Sequence, residues 1–261
     1  MKFIKVTATS ALLVSALSLS FGGAAAFAEE TKTLDSNAIV KFKANESITG
    51  PVDPENPDPN KPVDPVDPVT GEKPEPGTNG PLSIDFASTL YFGENVISTK
   101  DETYFAGAQK LADGKEKPNY VQVTDNRGTE AGWTLSVKQN GQFVDSKGNE
   151  LTGAKITFTN GAVNTVSKSA SPSEVMPSFD LTVDGTGAVQ NVVEAKAGEG
   201  AGTYVYKFGD DATKAESIKL EVPGATTKYA DEYKTTLTWT LSDVPANEGT
   251  TVETPAPSKS E

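Results

Sequence analysis

From Tyr233 to Ser242 the chain reads YKTTLTWTLS. Tyr233, Thr235, Leu237, Trp239 and Leu241 fall at every second position, with Lys234, Thr236, Thr238, Thr240 and Ser242 between them. A period of two sends alternate side chains to opposite faces of an extended strand, so one face is mostly aromatic and apolar and the other wholly polar. A helix would smear both sets around its axis. A shorter copy lies a hundred residues earlier, where Trp133, Leu135 and Val137 alternate with Thr134, Ser136 and Lys138. These are the only two tryptophans in the chain, and each is followed by Thr-Leu.

The same grammar runs through the chain from Leu82. Short β-branched and aromatic runs (PLSIDFAS, NYVQVTD, GWTLSVKQ, AKITFTNG, SFDLTVDG, VQNVVEAK, GTYVYKFG, IKLEV and YKTTLTWTLSD) are divided by Gly, Asn, Asp and Pro. Turn chemistry sits between them at Asp145, Gly148 and Asn149, and again at Asp184, Gly185 and Gly187. No long amphipathic helix is visible. The pattern predicts an all-β, antiparallel β-sandwich, Ig-like or related, over residues 82–245. The earlier segment AIVKFKANESI, with Val40 and Phe42 on one face and Lys41 and Lys43 on the other, predicts an additional strand within residues 29–50.

Between these parts, from Pro51 to Pro81, proline recurs every few residues, and Val-Asp-Pro appears at 52–54, 63–65 and 66–68. Proline fixes its own φ and restricts the residue before it, so 51–81 reads as an extended, polyproline-like linker or long loop outside the core. A spacer fits this composition better than a proline-recognition ligand, because the Asp-Pro rhythm lacks the basic residues of a PxxP ligand.

Composition removes several chemistries. The chain has no cysteine and no histidine, which excludes thiol catalysis, Ser-His-Asp triads, His- or Cys-based zinc sites and disulfides. Lys2 and Lys5 precede the apolar run Ala11–Leu19 and the small-residue site Ala26-Phe27-Ala28, so residues 1–28 read as a secretory signal peptide cleaved after Ala28. A membrane-spanning helix is the competing reading, but the run is short and punctuated by serines. Removing two lysines and no acid takes the net charge from −13 to −15. So acidic a chain has no basic face for nucleic acid. Residues 246–261 read as a disordered tail, and TPAPSKSE carries neither a sorting signal nor a hydrophobic stop. An exported chain of this kind is expected to be extracellular, and if it stays at the cell surface it must be held there by noncovalent binding.

Two readings of the tryptophans stay open at this level. A buried indole removes roughly 150–250 Å² from water and anchors a core, whereas an exposed aromatic strip would suit sugars or a protein partner. For an enzyme only carboxylate pairs remain. Asp210-Asp211 reads as a solvated polar turn, and DNRG at 125–128 as a turn in which Arg127 pairs with a neighbouring acid. DSKGNE lacks calcium-ligand spacing, so no metal site and no cofactor is expected.

The two W-x-L motifs at 133–135 and 239–241, together with GPLSIDFASTLYFG, VQVTDNRGTEAGWTLSV and the Val-Asp-Pro segment, resemble the WxL-domain family of Gram-positive surface proteins. The resemblance spans nearly all of the chain after residue 28. It implies a non-catalytic protein attached noncovalently to the wall through peptidoglycan and acting in a surface complex linked to adhesion. The implied partners are a membrane-anchored WxL-interacting protein and other WxL proteins. An adhesin binding host matrix proteins, or the interacting protein in place of peptidoglycan, is the alternative. The family's characteristic residues fall on Trp133, Leu135, Trp239 and Leu241, with Tyr233 ahead of the second motif, either as a contact surface or as the core of the binding domain.

Overall fold

The computed structural model describes residues 32–181 and 188–243. The expected leader with Ala26 and Ala28, the expected turn at Asp184, Gly185 and Gly187, and the expected tail from residue 246 lie outside the described residues. The chain divides into two compact units, residues 1–41 and 42–261. In the first, residues 32–41 are irregular and exposed. The strand expected around Val40 and Phe42 does not form: both side chains face solvent and the backbone joins no sheet. Alternation alone does not make a strand, because an extended segment needs a neighbour to satisfy its backbone.

The second unit contains fifteen strands among the described residues. The first five are β1 (Pro65–Val66), β2 (Leu82–Ala87), β3 (Glu102–Phe105), β4 (Gln109–Leu111) and β5 (Glu116–Lys117). Next come β6 (Asn119–Asp125), β7 (Trp133–Gln139), β8 (Lys155–Phe158), β9 (Gly161–Thr165) and β10 (Glu174–Val175). The last are β11 (Phe179–Leu181), β12 (Gln190–Ala195), β13 (Gly202–Phe208), β14 (Ile218–Val222) and β15 (Leu237–Ser242). No helix occurs among the described residues.

These strands make three four-stranded sheets, in the orders β2-β6-β13-β9, β10-β12-β7-β15 and β11-β8-β14-β3, and one three-stranded sheet, β1-β4-β5. Every pairing between them is antiparallel. The fold is thus all-β and antiparallel as expected, but the sheets are set in a propeller-like ring and not as the two facing layers of a sandwich. Val121, Val123 and Tyr204 of the first sheet, Trp133, Leu135 and Val137 of the second, and Ile156, Phe158 and Leu220 of the third enter one shared core. Alternation tells which face of a strand points inward; it carries nothing about how many sheets share that inside.

The proline segment is not outside the fold. Val52, Pro54, Pro57 and Pro65 are buried, and Val52 joins Phe86, Tyr120 and Val205 in a second small core on the outer side of the first sheet. The backbone N–H of Val52 donates to Gln122 Oε1 at 2.7 Å, and Asn164 Nδ2 donates to the Pro54 carbonyl at 2.9 Å. The Asp-Pro rhythm has a local cause: Asp53 Oδ1 accepts from the N–H groups of Glu55 and Asn56, and Asp67 Oδ1 from those of Val69 and Thr70. Each aspartate thus closes a side-chain turn over the proline that follows it. The result is a strap laid over the sheet. Lys117 of β5 pins it by pairing with Asp53 at 2.8 Å and Glu55 at 2.9 Å.

Candidate functional site

Four of the five residues singled out in the sequence, Trp133, Leu135, Trp239 and Leu241, lie in the second four-stranded sheet. In it β7 is central, between β12 and β15, while β15 is the rim strand. The two W-x-L motifs run antiparallel side by side, with Leu241 directly opposite Leu135 and Trp239 opposite Val137. Both tryptophans point to the inner side of the sheet, as their shared parity requires.

Their surroundings differ. Trp133 is 1% exposed, packs edge-on to Tyr204 at 6.0 Å between ring centres, and donates from Nε1 to the Gly200 carbonyl at 2.9 Å. Two glycines make room for this. A Cβ on Gly200 would lie 2.5 Å from Trp133 Nε1, and one on Gly132 would lie 2.4 Å from the Ala195 carbonyl oxygen; both residues have positive φ, +79° and +83°. Arg127 holds the approach to this strand, its Nε and Nη2 on the two oxygens of Asp125 at 3.0 and 2.8 Å and its Nη2 also on the Gly132 carbonyl at 2.7 Å. Trp239 is only half-buried and meets Phe158 edge-on at 6.4 Å. Tyr233 lies before β15, not in it. It packs against the core and accepts from the Tyr229 N–H at 2.9 Å.

The outer side of this sheet is a field of hydroxyls and amides. Thr134, Ser136 and Lys138 of β7 stand opposite Ser242, Thr240 and Thr238 of β15, and Asn191 and Glu194 of β12 face Ser136 and Thr134 from the other flank. Asn140 orders one end by donating from Nδ2 to Thr236 Oγ1 at 3.0 Å and Thr238 Oγ1 at 2.8 Å. Reading the sequence missed Gly200 and Asn140. Gly200 lies in the glycine-rich run GEGAG, an available cue for a close approach, whereas Asn140 carried no signal beyond following a strand.

The acids weighed for catalysis all have structural partners. Asp210 closes an exposed turn by accepting from the N–H groups of Ala212 and Thr213, and the Thr213 hydroxyl bonded to it holds its carboxyl below the usual range. Asp211 pairs with Lys214 at 2.9 Å. In the DSKGNE turn Asp145 accepts from Lys147 and Asn149 N–H groups. Asp85 of β2 is a buried carboxylate that accepts from Thr124 Oγ1 at 2.5 Å, Ser83 Oγ at 2.7 Å and Gln122 Nε2 at 2.8 Å. Burial pushes its carboxyl above the usual range despite these three donors. Among the described residues no cluster of three acids could hold a metal ion. Two shallow clefts, of about 480 and 380 Å³, contain one acid between them, Glu150.

Compared with known families, residues 29–245 match the WxL domain, a surface cell wall-binding domain. The chain belongs to the WxL-domain family. The match takes in the strap, the described sheets and both W-x-L strands of this WxL protein in one stretch. No curated protein and no solved structure matches it.

Proposed function

We infer that this WxL protein is a non-catalytic, exported surface protein that attaches noncovalently to peptidoglycan and serves in a surface complex. The observation that carries the reading is the family match over residues 29–245, a cell wall-binding domain that begins directly after the small-residue site ending at Ala28. The geometry refines which atoms would make contact. Trp133 is enclosed and cannot stack on a sugar without unfolding its strand, so its role is to set the sheet. The outer face carrying Lys138, Asn140, Thr238 and Thr240 offers donors and acceptors on a regular spacing, which suits the amides and hydroxyls of a peptidoglycan strand. Attraction of this short-range kind survives salt, which screens interactions beyond roughly 8 Å at physiological ionic strength.

The test is retention of the purified protein on protein-free peptidoglycan, with Thr238→Glu/Thr240→Glu as the contact variant and near-UV circular dichroism as the check on folding. Retention that resists added salt and is lost in a folded double variant is expected. Release by modest salt, or full retention of the variant, would refute this contact face. The exposed side chains of Val96 and Ile97, between β2 and β3, favour an additional protein contact, consistent with membership of a complex.

A further inference from the structure

The chain contains three Asn-Gly pairs, at 79–80, 140–141 and 160–161. In such a pair the backbone nitrogen after the asparagine has no neighbouring side chain in its way and a permissive backbone, so it can close a five-membered ring on the carboxamide carbon. All three asparagines are exposed, and solvent access does not separate them. The attacking nitrogen does. The Gly161 N–H donates to the Pro177 carbonyl at 2.9 Å, and a Cβ on Gly161 would lie 2.5 Å from the Met176 carbonyl oxygen, so this peptide group is wedged in place. The N–H groups of Gly80 and Gly141 donate to no acceptor among the described residues, and a Cβ on Gly141 would meet nothing within 4 Å.

Of the two free pairs, only Asn140–Gly141 belongs to the second sheet's outer face. Asn140 is anchored there by its own N–H, which donates to the Thr236 carbonyl at 2.9 Å. Its Nδ2 gives its protons to Thr236 Oγ1 at 3.0 Å and Thr238 Oγ1 at 2.8 Å. Both hydroxyls accept from Asn140, so each keeps its own proton for solvent or a ligand.

We propose that Asn140 is a site of spontaneous deamidation, at which the chain converts an amide of its outer sheet face into a carboxylate. The Gly141 nitrogen loses its proton to water and bonds to Asn140 Cγ. The Cγ–Nδ2 bond breaks, and Nδ2 takes up a proton and leaves as ammonia. A second water opens the cyclic imide at either carbonyl, leaving aspartate or isoaspartate. The sum is one water consumed and one ammonia released, with no oxidant or reductant. A carboxylate only accepts hydrogen bonds, so the Thr236 and Thr238 hydroxyls turn their protons inward to it and the face loses two donors. The new charge also stands two residues from Lys138 on the same side of the chain, where it competes for that ammonium. The effect on wall binding rests on the outer face being the contact, as inferred above; the conversion itself does not.

The purified protein is held in mildly alkaline buffer, folded or in urea, and sampled over time by peptide mass spectrometry, each conversion adding about 1 Da. Lys138 and Lys147 bound the tryptic peptide of Asn140, and Lys155 and Lys168 that of Asn160, so the sites are read separately. In urea the three pairs should convert at comparable rates. In the folded protein Asn79 and then Asn140 are expected to convert, while Asn160, which must first open locally, falls about tenfold or more behind its own rate in urea. Protection of Asn140 as strong as that of Asn160, or no gain of mass at Asn140 in the folded protein, overturns the proposal. Aged protein and Asn140→Asp, which supplies the carboxylate directly, are then compared on protein-free peptidoglycan. Lost retention with unchanged near-UV circular dichroism is expected of both. Conversion at Asn140 with full retention would refute the outer face as the contact and leave the modification standing.

Discussion

The strands β7 and β15 carry the same three-letter phrase, share a register and point their tryptophans the same way, yet Trp133 is enclosed and Trp239 is half-open. The difference comes from position in the sheet. A central strand has neighbours on both flanks, and here β12, with Gly200 and Tyr204 nearby, closes over the indole and supplies a partner for its N–H. A rim strand is hydrogen-bonded to a neighbouring strand on one flank only. A repeated motif therefore specifies the face of a residue, while the order of strands specifies its burial, and the two need separate evidence.

The comparison can be broken most sharply at Trp133. Trp133→Ala removes the largest enclosed side chain in the sheet and is expected to cost about 3–5 kcal/mol, read as a fall in urea midpoint with an unchanged slope. A loss no greater than that at Trp239 would show that strand position is not what separates the two. Gly200→Ala, which leaves the sequence of both motifs unchanged, comes next. Its added methyl meets the Trp133 ring in a backbone conformation with positive φ, and a loss of about 2–3 kcal/mol is expected. Near-native stability would mean that the indole has room to move, which the enclosed geometry denies. For Trp239→Ala the expected loss is about 1–2 kcal/mol, with the near-UV signal of Trp133 retained.

The smallest effect concerns a strand covered on both faces. The whole of β6 is buried, between the core and the strap, and its neighbour Asp85 shares that cover. Because burial raises the folded-state pKa of Asp85 above the ordinary 3.8, the folded protein holds this proton more tightly than the unfolded chain. Its stabilising contribution is therefore complete below pH 3.8 and is lost as pH rises through the folded value. Asp85→Asn does not titrate, so its stability relative to wild type should rise across that window and then level off. Urea melts at a series of pH values measure this difference. A flat or opposite trend would mean that the donors Thr124, Ser83 and Gln122 outweigh burial.

Much of the fold was legible because alternation is a local signal. The runs at β2, β6, β7, β8, β12, β13 and β14 stand out in the sequence, and each W-x-L motif was enough to put its tryptophan and leucine on one face of a strand, with core and contact surface both left open. The short strands β1, β4, β5 and β10 have too few residues to show a period, and β9, GAVNT, has only one large apolar residue. The segment at Val40 and Phe42 misled for the converse reason: it has the period but no neighbour. The strap misled through composition. A stretch rich in Asp and Pro reads as solvated, and nothing local reveals that Val52 fills a gap beside Tyr120 and Val205, since those partners lie far along the chain. The candidate site was legible as a pair of strands, but the difference in burial between them depended on Gly200 and on strand order.

The strap also imposes an order of events. Its residues leave the ribosome before anything that receives them: Lys117 follows Glu55 by 62 positions, and Asn164 follows Pro54 by 110. A polyproline-like segment keeps its backbone solvated and needs no internal hydrogen bonds, so it can wait in water without seeking a wrong partner. Only when β6, β9 and β13 stand together does its seat exist. The piece of the body that is made early is the piece that closes late, and at this face the molecule is finished in the reverse of the order in which it was written.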